Sequence, residues 1–145
     1  MIVGTGIDIV EIGRLRKALE RWPRLYDRLF SPAEIASCPS LRTKFIRLAG
    51  RFAAKEAVAK AIGTPLSWRD VEITNDTRGK PRVTLGPRAA ASTRGVEVLV
   101  SISHGRDYAV AHALAQADFA IVAPATTAER EKTPSGIKFR LGEQQ

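Results

Sequence analysis

An α+β fold, with helices packed on antiparallel strands in one compact domain, follows from three features of this chain. Apolar residues recur at helical spacing over 11–21 and 42–62. Runs at 2–10, 69–74, 81–85, 96–103 and 108–115 are rich in β-branched residues and alternate as strands do. The last two runs are separated only by His104-Gly105-Arg106-Asp107, and the two before them by the turn-forming stretch 75–80. The 145 residues suit one domain, and a 44% hydrophobic content is enough for a core.

Residues 2–10 read as a buried strand. Val3, Thr5, Ile7 and Ile9 share one face, and Ile2, Gly4, Gly6, Asp8 and Val10 the other. Residues 11–21 form a helix with Ile12, Leu15 and Leu19 as its apolar stripe. Arg14, Lys17 and Arg21 lie on a different face; Arg24 and Arg28 extend this basic track, and Pro23 ends or bends the helix. Ser31-Pro32-Ala33-Glu34 is a helix start, with Ser as cap, Pro at the first position and Glu three residues after the cap. The helix from it is short, to about Ser37. The 42–62 helix stops at Gly63 and buries Ala54, Ala57, Val58, Ala61 and Ile62, whose small size lets another backbone approach. A further short helix runs from Pro87 to Thr93. A domain boundary is expected at residue 118: after Ala123 the composition turns to Pro, Thr, Ser and alternating charge, so 119–145 reads as a flexible extension.

Composition narrows the function. No apolar run reaches the length of a membrane span, and the N-terminus has no basic region and an early acid, unlike a signal peptide. The single Cys38 excludes an internal disulfide and a cysteine-rich zinc site, and the cytoplasm is the simplest compartment. The net charge of +8 resides before residue 116, where 19 Lys and Arg stand against 11 Asp and Glu. That surface suits nucleic acid, anionic lipid, a phosphorylated small molecule or an acidic protein.

Four clusters could carry chemistry. Asp8 interrupts an apolar strand; it is a salt-bridge or capping partner, or a metal ligand for which Gly4 and Gly6 make room. Glu56 and Lys60, one helical turn apart, are a solvated ion pair, or hold a metal and a phosphate. Ser101-Ile102-Ser103-His104-Gly105 is a polar hairpin end or an anion site, since hydroxyls, turn N–H groups and imidazole all donate to anionic oxygen. Asn75-Asp76-x-x-Gly79-Lys80-Pro81 is a turn that can bring an ammonium to a phosphate. His112 alternates with Val110 and Leu114 and reads as structural. Gly4-x-Gly6 lacks the third glycine of a dinucleotide fingerprint, and no Walker pattern or Gly-x-Ser-x-Gly elbow occurs.

Together Gly6-Ile7-Asp8-Ile9-Val10-Glu11-Ile12, Arg51-Phe52-Ala53-Ala54-Lys55-Glu56-Ala57-x-x-Lys60-Ala61, Asn75-Asp76-x-x-Gly79-Lys80-Pro81 and Ser101-Ile102-Ser103-His104 resemble the holo-acyl-carrier-protein synthase family, the small bacterial 4'-phosphopantetheinyl transferases. The motifs stand in family order and span about residues 4–115. The resemblance implies the fold of those transferases and a magnesium-dependent transfer of phosphopantetheine from coenzyme A to a serine of apo acyl carrier protein, in support of fatty acid biosynthesis. It implies Asp8 and Glu56 as metal ligands, with Lys60 stabilising charge on the diphosphate. The serine proton goes to Glu56 or to a metal-bound water that Glu56 steers. Lys80, Pro81, Ser103 and His104 line the adenine and 3'-phosphate end, and Arg51 is a further phosphate contact. Arg14, Arg21, Arg24 and Arg28 steer and dock the acidic carrier protein. Family members are homotrimers with sites between subunits, and the many alanines and the alternating hairpin suit such an assembly. The basic segment 41–47 and the tail from 116 onward have no counterpart in the resemblance. The competing reading is a basic nucleic-acid-binding module without catalysis, against which stand 6% aromatic residues and no recognised motif. A catalytically silent carrier-protein binder is a third, disfavoured by the intact Asp8, Glu56 and Lys60.

Overall fold

A computed structural model of the chain describes residues 1–93 and 95–117; the expected extension 119–145 lies outside them. In chain order the elements are β1 (Ile2–Glu11), α1 (Ile12–Arg21), α2 (Arg24–Leu29), α3 (Pro32–Ala36), α4 (Lys44–Ile62), a 3₁₀ turn (Trp68–Asp70), β2 (Val71–Asn75), β3 (Pro81–Leu85), α5 (Pro87–Thr93), β4 (Glu97–His104) and β5 (Tyr108–Gln116). Two antiparallel sheets form, one of three strands in the order β1-β5-β4 and one of two, β2-β3. The α+β class is as expected.

The long helix α4 lies across the inner face of the three-stranded sheet. Ala53, Ala54, Ala57, Val58 and Ala61 meet Val98 and Val100 of β4 and Ala111, Ala113 and Ala115 of β5. These alanines serve helix-to-sheet contact within the chain. The approach is closest at β1. A Cβ on Gly4 would stand 2.0 Å from the Ala61 carbonyl oxygen, and one on Gly6 would stand 2.2 Å from that of Ala57. These glycines therefore make room for helix backbone, not for a metal ion, and their close approach lays α4 against the strand that carries Asp8.

The expectation of a wholly buried β1 fails for the same geometry. Its glycine face is covered by α4, while Ile7 and Ile9 on the other face are each 62% exposed. The second core lies under the helical layer, where Ile12, Leu15 and Leu19 of α1 pack with Leu29, Phe30 and Leu48. Pro23 does end α1, but the chain re-enters a helix at once in α2. This piece is too short for periodicity to reveal.

The start of α3 is a complete capping box: Glu34 N donates to Ser31 Oγ at 3.2 Å, and Ser31 N donates to Glu34 Oε2 at 2.7 Å. The same carboxylate accepts from Ile73 N at 3.0 Å and pairs with Lys55 Nζ at 2.8 Å, both side chains having no exposure. Lys55 Nζ also donates to Trp68 O at 2.8 Å. Burial pulls the Lys55 ammonium below its usual range, and the hydrogen bond and charge of Glu34 pull it back. One buried pair thereby ties α3, α4 and β2 together and fixes how α4 is rotated. Gly63 ends α4 at φ 75° in the left-handed region, as expected of a helix stop.

Candidate active site

The rotation of α4 distributes the motif residues. Phe52, Glu56 and Lys60 recur every fourth position and share a face; Arg47 and Arg51 form a second stripe, displaced by about 140° between Arg51 and Glu56 at about 100° per residue. Lys55, between these stripes in sequence, points inward to Glu34.

On the first face, Lys60 Nζ donates to Asp8 Oδ1 at 2.7 Å and to Ile7 O at 3.0 Å. The Asp8 side chain is 17% exposed and that of Lys60 52%. Burial raises the Glu56 carboxyl above its ordinary value; the charge of Asp8 pushes in the same direction and Lys60 opposes it. Two carboxylates thus face each other next to one ammonium. Asp8 and Glu56 open into a groove of ≈ 550 Å³ whose walls are apolar, among them Leu15, Leu25, Leu29, Phe52 and Tyr108, with Arg14 at its edge.

Among the described residues no three or more His, Cys, Asp or Glu side chains gather as a metal cage. Two carboxylates that repel each other nevertheless fit magnesium, which takes one or two protein carboxylates and completes its octahedron with phosphate oxygens and water. The donor set is all oxygen, as a hard cation requires, and Lys60 Nζ sets a positive charge beside Asp8.

On the second face a pocket of ≈ 290 Å³ is lined by Arg47, Gly50, Arg51, Asn75, Gly79, Pro81 and His104, with Ile46 and Ile102. Arg51 is 6% exposed; its Nε donates to Ile73 O at 3.0 Å and its Nη1 to Cys38 Sγ at 2.7 Å. The 75–80 turn is held by Asp76, whose Oδ1 accepts from Arg78 N and Lys80 N at 2.9 Å each, and by Asn75 Nδ2 donating to Gly79 O at 2.7 Å. These bonds present Asn75, Gly79 and Pro81 to the pocket.

The expected residues therefore fall into three places. Asp8, Glu56 and Lys60 are together. Arg51, Pro81 and His104 are together, with Lys80 beside Pro81 on a neighbouring groove along β4. Ser103 lies elsewhere: strand alternation turns it to the outer sheet face, where it borders a shallow depression with His104, Arg106 and Val110. Arg14, Arg21, Arg24 and Arg28 are all exposed. Arg21 stacks over the Trp22 ring at 4.8 Å, and Lys44 over Tyr26 at 4.7 Å. Two residues lining these pockets escaped the sequence reading although helical spacing pointed to them: Arg47 is one turn before Arg51, and Phe52 is one turn before Glu56.

The family described as the 4'-phosphopantetheinyl transferase superfamily matches residues 4–113, and the chain belongs to it. Within that superfamily the chain is similar to the holo-[acyl-carrier-protein] synthases. It is 50% identical over 120 residues to that of Moorella thermoacetica, covering 79% of this chain and 94% of that protein. It is 51% identical over 122 residues to that of Desulforudis audaxviator, covering 79% and 93%. Among solved structures it resembles the Helicobacter pylori synthase in complex with coenzyme A, with TM-score 0.70, 32% identity, and 77% of this chain and 99% of that one covered. The Bacillus anthracis synthase in complex with CoA (3',5'-ADP) matches with TM-score 0.70 and 36% identity, over 81% and 99%.

Proposed function

We propose that this chain transfers the 4'-phosphopantetheine group from coenzyme A to a serine of apo acyl carrier protein, releasing adenosine 3',5'-bisphosphate and supplying holo carrier protein for fatty acid biosynthesis in the cytoplasm. The observation that carries the reading is the juxtaposition of Asp8, Glu56 and Lys60 at the mouth of an apolar groove, in a chain about half identical to proteins of that name.

Asp8 and Glu56 would hold magnesium, which would supply positive charge against the diphosphate and so favour departure of the leaving group. Lys60, anchored by Asp8 and the Ile7 carbonyl, places an ammonium against the same developing charge. Glu56, its carboxyl raised above the ordinary range, is positioned to receive the serine proton directly or through one water. Arg51, Pro81 and His104 hold the nucleotide end, with Arg47 and Asn75 joining them and Lys80 on the neighbouring groove, while Ser103 borders a separate depression that it shares with His104. Arg14, Arg21, Arg24 and Arg28 form a basic face for an acidic carrier helix, and Arg14 reaches the groove that leads to the acid pair.

The chain acts as a homotrimer whose sites lie between copies. Two observations support this. The acid pair and the nucleotide pocket occupy different faces of α4 in one chain, so a ligand that must touch both is served by two copies. The outer face of the three-stranded sheet also leaves Ile7, Ile9 and Leu99 uncovered among the described residues. The test is release of adenosine 3',5'-bisphosphate from coenzyme A and apo carrier protein, followed by chromatography. Release dependent on both substrates is expected; none, with folded enzyme and several carriers, would refute the reading.

A further inference from the structure

We infer that protonation of His112 separates copies of this chain that pack through the outer face of the three-stranded sheet. The inference rests on the proposed assembly and adds its control by pH.

His112 occupies the middle of this face. β5 is the central strand of the sheet, and His112 is the fifth of its nine residues. Its register partners are Ile7 on β1 and Ser101 on β4. The ring is exposed and its Nε2 lies 3.3 Å from Thr5 Oγ1. Around it the face offers Ile7, Ile9, Leu99, Val110 and Leu114, and hydroxyls that accept or donate equally well.

The charge pattern argues for a second copy as the occupant. The chain carries +8 overall, yet none of its 23 Lys and Arg stands on the strands of this face. Two strongly basic copies can therefore meet here without cationic repulsion. The fixed charges near the face are at its ends. Glu11 of β1 and Glu97 of β4 are each four residues along the strands from the His112 row, about 13 Å away. Arg106 and Asp107 stand in the hairpin loop beyond Tyr108. Asp8 and His104 lie on strands of the same sheet but alternate to its inner side. Among the described residues no carboxylate is placed to neutralise an imidazolium at the centre, and the Met1 ammonium, bonded to Ala117 O, stands at the end of the sheet.

A symmetric packing centred on this face brings the His112 of each copy towards the symmetry axis. Neutral rings are accepted there; imidazolium groups would be desolvated and set against one another. Histidine is the side chain whose charge changes in mild acid. With one proton taken up per chain on release of a trimer, the concentration for half-assembly scales as the 1.5 power of proton concentration, about thirty-fold per pH unit where uptake is complete.

Sedimentation velocity of the full chain at pH 7.5, 6.5 and 5.5, at fixed ionic strength, tests this alongside His112→Gln and His112→Arg. The expected result is wild type assembled at pH 7.5 and shifted at least about ten-fold towards monomer at pH 5.5. His112→Gln remains assembled throughout, and His112→Arg is monomeric even at pH 7.5. Wild-type assembly that ignores pH overturns the inference and leaves the assembly reading standing. So does His112→Gln that dissociates in acid as wild type does, or that fails to assemble at pH 7.5. Wild type that is monomeric at pH 7.5 removes the assembly reading itself, and the sheet face then belongs to another partner.

Discussion

Replacing Gly6 by alanine attacks the contact that brings Asp8 over α4. The new Cβ would lie 2.2 Å from Ala57 O, 2.7 Å from Ala61 N and 2.8 Å from Lys60 Cβ. Ordinary carbon–oxygen contact needs about 1 Å more, and two of the three obstacles are helix backbone that cannot swing aside. β1 and α4 must separate by roughly that distance, opening the alanine core beneath. Overpacking of this kind costs about 3 kcal/mol, which for a domain of this size lowers Tm by about 10 °C. The same displacement pulls Asp8 from Lys60, now paired at 2.7 Å, and from Glu56. A misplacement of about 1 Å costs on the order of 100-fold in rate. Thermal unfolding and steady-state transfer kinetics read both effects. Gly6→Ala with unchanged Tm and unchanged kcat would refute the claim that the glycine face exists for close approach.

Glu56→Gln is expected to abolish transfer without loss of stability. Because the folded carboxyl titrates above 4.5, the folded state holds a proton that the unfolded chain has released between 4.5 and that raised value, and stability falls as pH rises through this window. In chelator at pH 7 the Gln variant is therefore the more stable of the two, and the gap closes below pH 4.5; chemical denaturation at both pH values checks this, and a less stable Gln variant at pH 7 would contradict it. Glu34→Gln leaves the buried Lys55 without its carboxylate and is expected to cost about 3–5 kcal/mol in the same assay; a loss under 1 kcal/mol would deny the pair its role in fixing α4. Arg14→Glu with Arg21→Glu raises KM for carrier protein about ten-fold or more at low salt while holding kcat, and added salt narrows the difference; an unchanged KM would remove the docking role.

Much of this architecture was legible because each signal was local. The capping box at Ser31, the stop at Gly63, the turn at 75–80 and the apolar faces of α1 and α4 depend on residues a few positions apart. What escaped depends on what each element packs against. Alternation alone does not tell a strand buried on both faces from one with a face left open, so the exposure of Ile7 and Ile9 on the outward side of β1 was not legible. Gly4 and Gly6 announce a close approach but not by what. Burial of Arg51 and Lys55 was hidden because charged residues are ordinarily exposed; their partners, Ile73 O, Cys38, Glu34 and Trp68 O, lie 13–22 residues away. The separation of Glu56 from Arg51 was readable, since five helical residues turn through about 140°. It went unnoticed because both sit within one motif.

The most direct test is the intact mass of apo acyl carrier protein after incubation with coenzyme A and this protein, with magnesium and with chelator, for wild type and Glu56→Ala. The account predicts a phosphopantetheine mass gain for wild type with magnesium alone, and none in chelator or with the variant. A gain that persists in chelator or with Glu56→Ala would contradict the roles given to Asp8 and Glu56. No gain with any carrier protein, from a folded enzyme, would contradict the transfer itself.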